Sequence, residues 1–248
     1  MSFVAGEQCF IDSLRNALPL LEKRQAAGMH AEQANALREQ VRDFCAQEAT
    51  HRHVHNQFNA VLAQQGLKNH LEARIYKRFE RTKGFNPMHP LAVTVAYEHY
   101  TAVLAQAMLA HPLLTQSMEP AVRNIWRWHA LEETEHKAVA FDLYTALGGN
   151  TAWRRRWFTY ASIMFAIDNV RQTTNNLWHD GTLFKPSTWL SAVRFFFGRP
   201  SQGHGWFWLT VRPLVQFFKA SFHPWQHNNQ ADAQAYATEH AAHWRLVR

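Results

Sequence analysis

The stretch WHALEETEHKAVAFDLY, residues 128–144, places two histidines and three glutamates within nine consecutive positions and then continues with mostly apolar residues. In a helix, where successive residues are rotated by about 100°, this stretch brings His129, Glu133 and His136 onto one face. A glutamate and a histidine three positions apart on one face can bind the same metal ion. The stretch therefore predicts a helix that carries metal ligands where apolar core residues would be expected.

An earlier stretch repeats this spacing. The segment FCAQEATHRHVHNQFN, residues 44–59, contains Glu48 and His51 three positions apart, and His55 lies on the same helical face as Glu48. One Glu-x-x-His pair alone is weak evidence, since a solvated helix face can carry such a pair incidentally. Two pairs in one chain are more specific, because a metal centre in a helical protein takes its ligands from several helices.

Two further helical segments each carry one glutamate among apolar positions: Glu98 within AYEHYTA, and Glu7 within GEQCFIDSLR. Four carboxylates facing one another in a helical core would be costly to keep ionised in a medium of low dielectric constant. Two divalent cations would cancel their combined charge. With neutral His51 and His136 as nitrogen donors, the mixed donor set favours iron or manganese over calcium or magnesium.

Apolar spacing of three and four residues, punctuated by proline and glycine, predicts helices throughout the chain and therefore an all-α fold. The first five helices are predicted at about Val4–Arg24, Ala31–Gln65, His70–Lys83, 89–112 and 119–147. Residues 1–150 are predicted to form a helical bundle. Residues 151–248, rich in Trp, Phe and Arg, are predicted to form a helical appendage that packs on the bundle as a substrate cover or lies at a membrane interface.

The order Glu, Glu-x-x-His, Glu, Glu-x-x-His resembles that of the ferritin-like di-iron and di-manganese carboxylate bundles. The segments GEQCFIDSLR, QEATHRHVHNQFN, AYEHYTA, WRWHALEETEHKAVAFDLY and FHPW further resemble the bacterial family labelled predicted metal-dependent hydrolases. The resemblance implies a ferritin-like four-helix bundle with a di-metal site. It implies two iron ions as cofactors, with manganese or a mixed manganese and iron pair as alternatives. The implied ligands are Glu7, Glu48, His51, Glu98, Glu133 and His136.

The stretch at 128–144 also has His129 ahead of its Glu-x-x-His pair, a pattern similar to that of the arylamine N-oxygenases of the ferritin-like group. That resemblance implies that His129 is a seventh ligand. His55 occupies the matching position on the second helix, and it can either bind metal or hydrogen-bond a ligand. Thr101 and Tyr97 are candidates for contacts just outside the ligand set, although a packing role fits both at least as well. Three further charged residues of the stretch are expected to be surface charges or members of ion pairs: Glu132, Glu135 and Lys137.

The chain of 248 residues carries a net charge of +7 and has a sequence pI near 9.7, which suits an anionic partner. No nucleic-acid-binding motif accompanies this charge, so nucleic acid is not expected as a partner. Two cysteines cannot form a disulfide framework and favour a cytoplasmic protein. No apolar run is long enough to span a membrane, but the aromatic and basic C-terminal segments are compatible with peripheral contact at the inner membrane face.

Three functions that use the metals fit these residues, and a fourth possibility is a membrane-bound interaction protein in which the site is vestigial. The first hypothesis is a di-iron oxygenase or oxidase that uses O2 and an external electron donor to oxidise a small apolar or amphiphilic molecule. The alternative is a di-metal-dependent hydrolase whose nucleophile is a hydroxide bridging the two metals. The second alternative is an iron-binding or storage protein, which would take up iron in large excess. A homodimer is compatible with each of the three.

Overall fold

The computed structural model describes residues 3–226 and 230–240, and of residues 232, 239 and 240 it describes the backbone only. Among these residues all regular structure is helical and no β-strand occurs, which confirms the predicted all-α class. The helices are α1 (Val4–Ala26), α2 (Ala31–Gln64), α3 (His70–Glu80), α4 (Met88–Ala110), α5 (Pro120–His136), α6 (Val139–Ala146), α7 (Thr151–His179), α8 (Pro186–Phe197), α9 (Trp206–Gln216) and α10 (Gln230–His240).

The first of two compact units contains residues 3–97 and 138–188. Its core forms where the apolar stripe of α1, with Leu14 and Leu21 fully buried, packs against α2, where Val41 and Phe44 are buried. The connection between these helices is only four residues long, which favours neighbouring antiparallel helices. This packing turns the polar residues that interrupt the apolar stripes of α1 and α2 into the core as well.

The third and seventh helices complete the first unit through polar contacts. Asp168 on α7 is buried and forms ion pairs with Arg74, at 3.0 Å, and with Arg78. The side-chain oxygen of Gln172 accepts hydrogen bonds from the backbone N–H groups of His70 and Leu71. These bonds satisfy donors at the start of α3, which a helix cannot satisfy by itself.

The second unit contains residues 98–137, 189–226 and 230–240. Ala107, Leu114 and Trp206 form a buried apolar cluster. The His99 ring lies between two aromatic rings, 4.8 Å from that of Phe217 and 4.9 Å from that of Phe222. Segments that are far apart in sequence therefore share one core in this unit.

The predicted helix over 119–147 is two helices in the structure. Its start is correct, because the Glu119 carboxylate caps α5 by accepting hydrogen bonds from two backbone N–H groups. The helix is interrupted at Lys137 and Ala138, between α5 and α6. The hydrophobic periodicity does not indicate this interruption, since apolar residues continue at helical spacing on both sides of it. The other predicted boundaries lie within about three residues of those observed.

The predicted division into a bundle over 1–150 and an appendage over 151–248 stays a prediction. The compact units follow a different partition of the chain, because residues 138–188 belong to the first unit. Among the described helices, none is long and apolar enough to cross a membrane.

Candidate metal centre

The first half of the candidate centre lies on α1 and α2. Glu7, Glu48, His51 and His55 are all buried, with Glu48 and His51 fully excluded from solvent. Glu7 stands in the first turn of α1, where the positive end of the helix dipole stabilises a carboxylate. Its Oε1 contacts Nδ1 of His55, and Nδ1 of His51 lies 3.4 Å from Oε1 of Glu48. Each glutamate of this half thus has an imidazole beside it.

The second half lies on α4 and α5. Nδ1 of His136 lies 3.2 Å from Oε2 of Glu98, and Nε2 of the same ring lies 3.9 Å from Oε1 of Glu133. Nε2 of His129 is 3.2 Å from that same Oε1 of Glu133. Glu98, Glu133 and His136 are buried, whereas His129 is 13% exposed. This half therefore repeats the pattern of one glutamate, one Glu-x-x-His pair and one additional histidine.

Both Glu-x-x-His pairs contribute to one group of potential metal ligands. One ligand atom from each of Glu48, His51, Glu133 and His136 can be chosen so that these atoms all lie within 4.8 Å of one another. All four side chains are buried. The group is consistent with a ferritin-like di-metal site, as the sequence predicted.

The chemistry of this group fits transition-metal ions. Two carboxylates and two imidazoles form a mixed oxygen and nitrogen donor set, which suits iron, manganese or zinc, whereas calcium and magnesium favour all-oxygen sites. Glu7 supports the same conclusion: its Oε2 is buried and has no hydrogen-bond partner among residues 3–226 and 230–240. Buried carboxylates in such surroundings are costly unless a cation compensates their charge.

The predicted ligands outside this group each contact a histidine or glutamate in the same half of the centre. Glu98 contacts His136, His129 contacts Glu133, and Glu7 contacts His55. The His55 ring in turn lies 6.4 Å from the His51 ring. These positions are those expected of residues that bind metal or orient the ligands. Metal binding by Glu7, Glu98 and His129 themselves stays a prediction. The same holds for His55 as an additional ligand.

The two candidates outside the ligand set have packing contacts. The hydroxyl of Thr101 donates a hydrogen bond to the backbone carbonyl of Glu98, at 3.0 Å. The Tyr97 ring is 6.1 Å from the Phe10 ring and 6.3 Å from the Phe165 ring. A role for Thr101 or Tyr97 next to the metals stays a prediction.

For Lys137, a place at the surface was one of the two expectations, and that one is wrong. The residue is only 4% exposed, and its ammonium lies 4.4 Å from the centre of the Trp225 ring. Burial lowers the pKa of Lys137 to about 8. The sequence contained one signal for this contact, since FHPW, which includes Trp225, was among the segments that carried the family resemblance. Periodicity alone could not pair two residues so distant along the chain.

The first unit also contains a cavity of about 370 Å³ that no sequence pattern indicated. This volume lies in the range of small-molecule sites, roughly 300–1,000 Å³. Among the described residues that line the cavity, several are aromatic or aliphatic, three are arginines and none is acidic. The apolar wall includes Phe10, Ile75, Phe79, Phe85, Val93, Tyr97 and Trp157, and the arginines are Arg78, Arg81 and Arg156.

Two residues that line the cavity are close in sequence to candidate ligands. Phe10 follows Glu7 by one helical turn on α1, and Tyr97 directly precedes Glu98 on α4. Cys9 also lines the cavity, but burial raises the pKa of its thiol to about 12, so that it stays protonated at neutral pH. Cys9 is therefore an apolar wall residue rather than a thiolate nucleophile or ligand.

The chain is similar to a known protein family. A family model described as "Predicted metal-dependent hydrolase" matches residues 1–228. No curated protein and no solved structure shows a significant match to the chain. The metal part of the family description agrees with the buried group of Glu48, His51, Glu133 and His136.

Proposed function

The chain belongs to the family of predicted metal-dependent hydrolases, and we propose that it is a metal-dependent enzyme that uses two iron ions and O2 to oxidise a small, largely apolar molecule. The observation that carries this proposal is the buried group of two Glu-x-x-His pairs. Its carboxylate and imidazole donors suit redox-active metals. Burial of the donors also keeps bulk water from the centre, and water is a reactant in hydrolysis but a competitor in oxidation.

The protein side chains would perform three tasks in this reaction. Glu48, His51, Glu133 and His136 would hold the metals, and iron would supply the electrons that reduce O2. The carboxylate of Glu98 would orient the His136 ring through the contact at 3.2 Å. The surrounding apolar residues would exclude water, and an external electron donor would restore the reduced state.

The cavity in the first unit supports an apolar substrate that carries an anionic group. Its aromatic and aliphatic wall would bury a hydrocarbon portion. Arg81 and Arg156 line the cavity and are exposed, and neither forms an ion pair with another residue among those that the structure describes. A carboxylate or phosphate on the substrate would complement these guanidinium groups.

Hydrolysis is the second candidate, and it is the activity that the description of the family names. The same four ligands would hold two metals that activate water, and a glutamate would act as the base. The two candidates differ in their requirements. A hydrolase would work without oxygen and with manganese or zinc, whereas the proposed oxidase needs iron, electrons and O2.

The test starts with the full chain purified anaerobically and reconstituted with iron, manganese or zinc. We expect two metals per chain, as in di-iron carboxylate bundles, and a change in the optical spectrum with O2 consumption only in the reduced iron form. Hydrolysis of an ester and phosphoester panel by the anaerobic manganese or zinc form would instead support the second candidate. Iron uptake far above two per chain, with cage-like assembly, would indicate storage.

Glu133→Gln is the variant that links this chemistry to the site. Loss of a residue that only orients a metal ligand typically costs roughly 10- to 100-fold in metal affinity or activity. Removal of a ligand itself should reduce metal content and O2 consumption by at least as much. Glu135→Gln is the matched control, because Glu135 is exposed on the same helix two positions away. Equal metal binding by both variants would contradict the proposed site.

A further inference from the structure

The eighth helix exposes an apolar stripe instead of burying it. Trp189, Leu190, Val193, Phe196 and Phe197 are each between 49% and 56% exposed. Their positions fall within about 120° around the axis of α8. A helix of a water-soluble domain normally turns such a stripe toward the core. Exposed apolar patches of this kind mark surfaces that meet another apolar phase or a partner.

The stripe continues onto α9. The Phe197 ring lies 5.2 Å from the Phe207 ring, and the indole N–H of Trp208 donates a hydrogen bond to the Phe197 carbonyl at 3.1 Å. Gly205, with φ of +83°, approaches Gly198 so closely that a Cβ at 205 would lie 2.5 Å from the Gly198 carbonyl oxygen. Trp208 is itself 57% exposed. We call residues 189–218, the segment that carries this exposed surface, the aromatic hairpin.

The charged side chains along the aromatic hairpin all have one sign. From residue 181 to residue 231 the chain contains no aspartate or glutamate. Arg194, Arg199 and Arg212 are exposed within the hairpin itself. The five basic residues of this segment are Lys185, Arg194, Arg199, Arg212 and Lys219. Along this stretch of the chain, the exposed rings are therefore accompanied by basic residues and by no acidic residue.

We propose that the aromatic hairpin docks this protein onto the surface of a bilayer that contains anionic lipid. Tryptophan and phenylalanine rings favour the boundary between headgroups and acyl chains, and arginines beside them reach lipid phosphates. A second copy of the chain fits this surface less well, since two such surfaces would bring like charges together. With 12 residues, α8 is about 18 Å long, which is short of the bilayer core and requires the helix to lie along its surface.

The experiment is sedimentation of the full chain with vesicles of phosphatidylglycerol and phosphatidylcholine, and with vesicles of phosphatidylcholine alone. We expect binding to the anionic vesicles that weakens as salt is raised, because the arginine contribution is screened. The double variant Arg194→Gln/Arg199→Gln should bind roughly tenfold to thirtyfold more weakly, at about 1 kcal/mol per basic residue. Leu190→Gln/Phe196→Gln should also lose binding, and this loss should persist at high salt.

Two exposed positions on α7 provide matched controls. Val170→Gln replaces an apolar residue that is 65% exposed, and Arg171→Gln replaces an exposed arginine, both outside the aromatic hairpin. Both controls should bind vesicles as the unmodified chain does. Circular dichroism spectra that match the unmodified chain establish that the variants are folded. The proposal is overturned if the unmodified chain stays in solution with anionic vesicles, or if the hairpin variants bind like the controls. A shift from dimer to monomer in the hairpin variants, without vesicle binding by any form, would overturn it in favour of a second copy.

Discussion

The two halves of the candidate metal centre contain the same residue types but hold them differently. In the half on α1 and α2, the additional histidine, His55, contacts Glu7 of the neighbouring helix. In the half on α4 and α5, the additional histidine, His129, contacts Glu133 of its own helix. There the interhelical contact is made by the paired histidine, His136.

The halves also differ in the solvent exposure of the additional histidine and in the position of the Glu-x-x-His pair within its helix. His55 is 2% exposed, whereas His129 is 13% exposed. The Glu-x-x-His pair of the first half lies well inside α2, which continues to Gln64, whereas α5 ends at His136 itself. We therefore expect the first half to contribute more to stability, and the second half, through His129, to be the more accessible of the two.

Glu48→Gln removes one ligand from the group to which both halves contribute, and we expect the largest effect from this variant. Bound metal at a hundred times its Kd stabilises a fold by about 2.7 kcal/mol, or roughly 5–10 °C in Tm for a chain of this size. The variant should lose this gain. With a chelator present, the variant should have a higher Tm than the unmodified chain, because it buries one negative charge fewer. Differential scanning calorimetry with and without metal measures both effects.

The control for this variant is Glu39→Gln, since Glu39 is exposed on the same helix. It should show the metal-dependent Tm of the unmodified chain. A Glu48→Gln variant that is destabilised equally with metal and with chelator would show that the carboxylate has a structural role without a cation.

His55→Gln and His129→Gln sharpen the difference between the halves. His55→Gln removes a buried interhelical contact and should lower the free energy of unfolding of the metal-free chain by about 1–3 kcal/mol. His129→Gln should change that free energy by less than about 1 kcal/mol, because the residue contacts its own helix and is partly exposed. It should nevertheless weaken metal binding roughly tenfold or more. Urea unfolding and metal titration separate the two effects, and equal unfolding free energies for both variants would contradict this interpretation.

The cavity of the first unit leads to a prediction with a smaller effect. Val93→Phe places a larger side chain on the cavity wall and should weaken binding of decanoate, a small apolar carboxylate, in a calorimetric titration. Arg156→Gln should weaken it only about two- to fivefold, since an ion pair with an exposed guanidinium is worth little. Arg171→Gln, on the same helix but outside the cavity, should have no effect. Decanol binding as tight as that of decanoate would contradict the role of Arg156.

The smallest predicted effect concerns the helix backbone. The interruption at Lys137 and Ala138 should let amide protons there exchange faster than those around Glu48 and His51, which lie inside an uninterrupted helix. Hydrogen exchange followed by mass spectrometry of the metal-free chain measures this difference. Uniform protection across both segments would mean that the two halves are equally rigid.

Periodicity was sufficient to predict the positions of the first helices and the face of each that carries an acid. Glu48 and His51, and likewise Glu133 and His136, share a face because three residues make nearly one helical turn. The interruption between α5 and α6 was not predictable in this way. Nor was the cavity, which requires residues of α1, α3, α4 and α7 to surround one volume.

The sequence by itself determined which helical faces carry carboxylates and imidazoles, and hence that a buried metal group was to be expected. Only the tertiary structure decided that His55 contacts Glu7 while His129 contacts Glu133, and that Lys137 lies buried against Trp225. The physical reason is the range of the interactions. Helical spacing is a local property of consecutive residues, whereas contacts between helices depend on how distant segments pack, which no local pattern encodes.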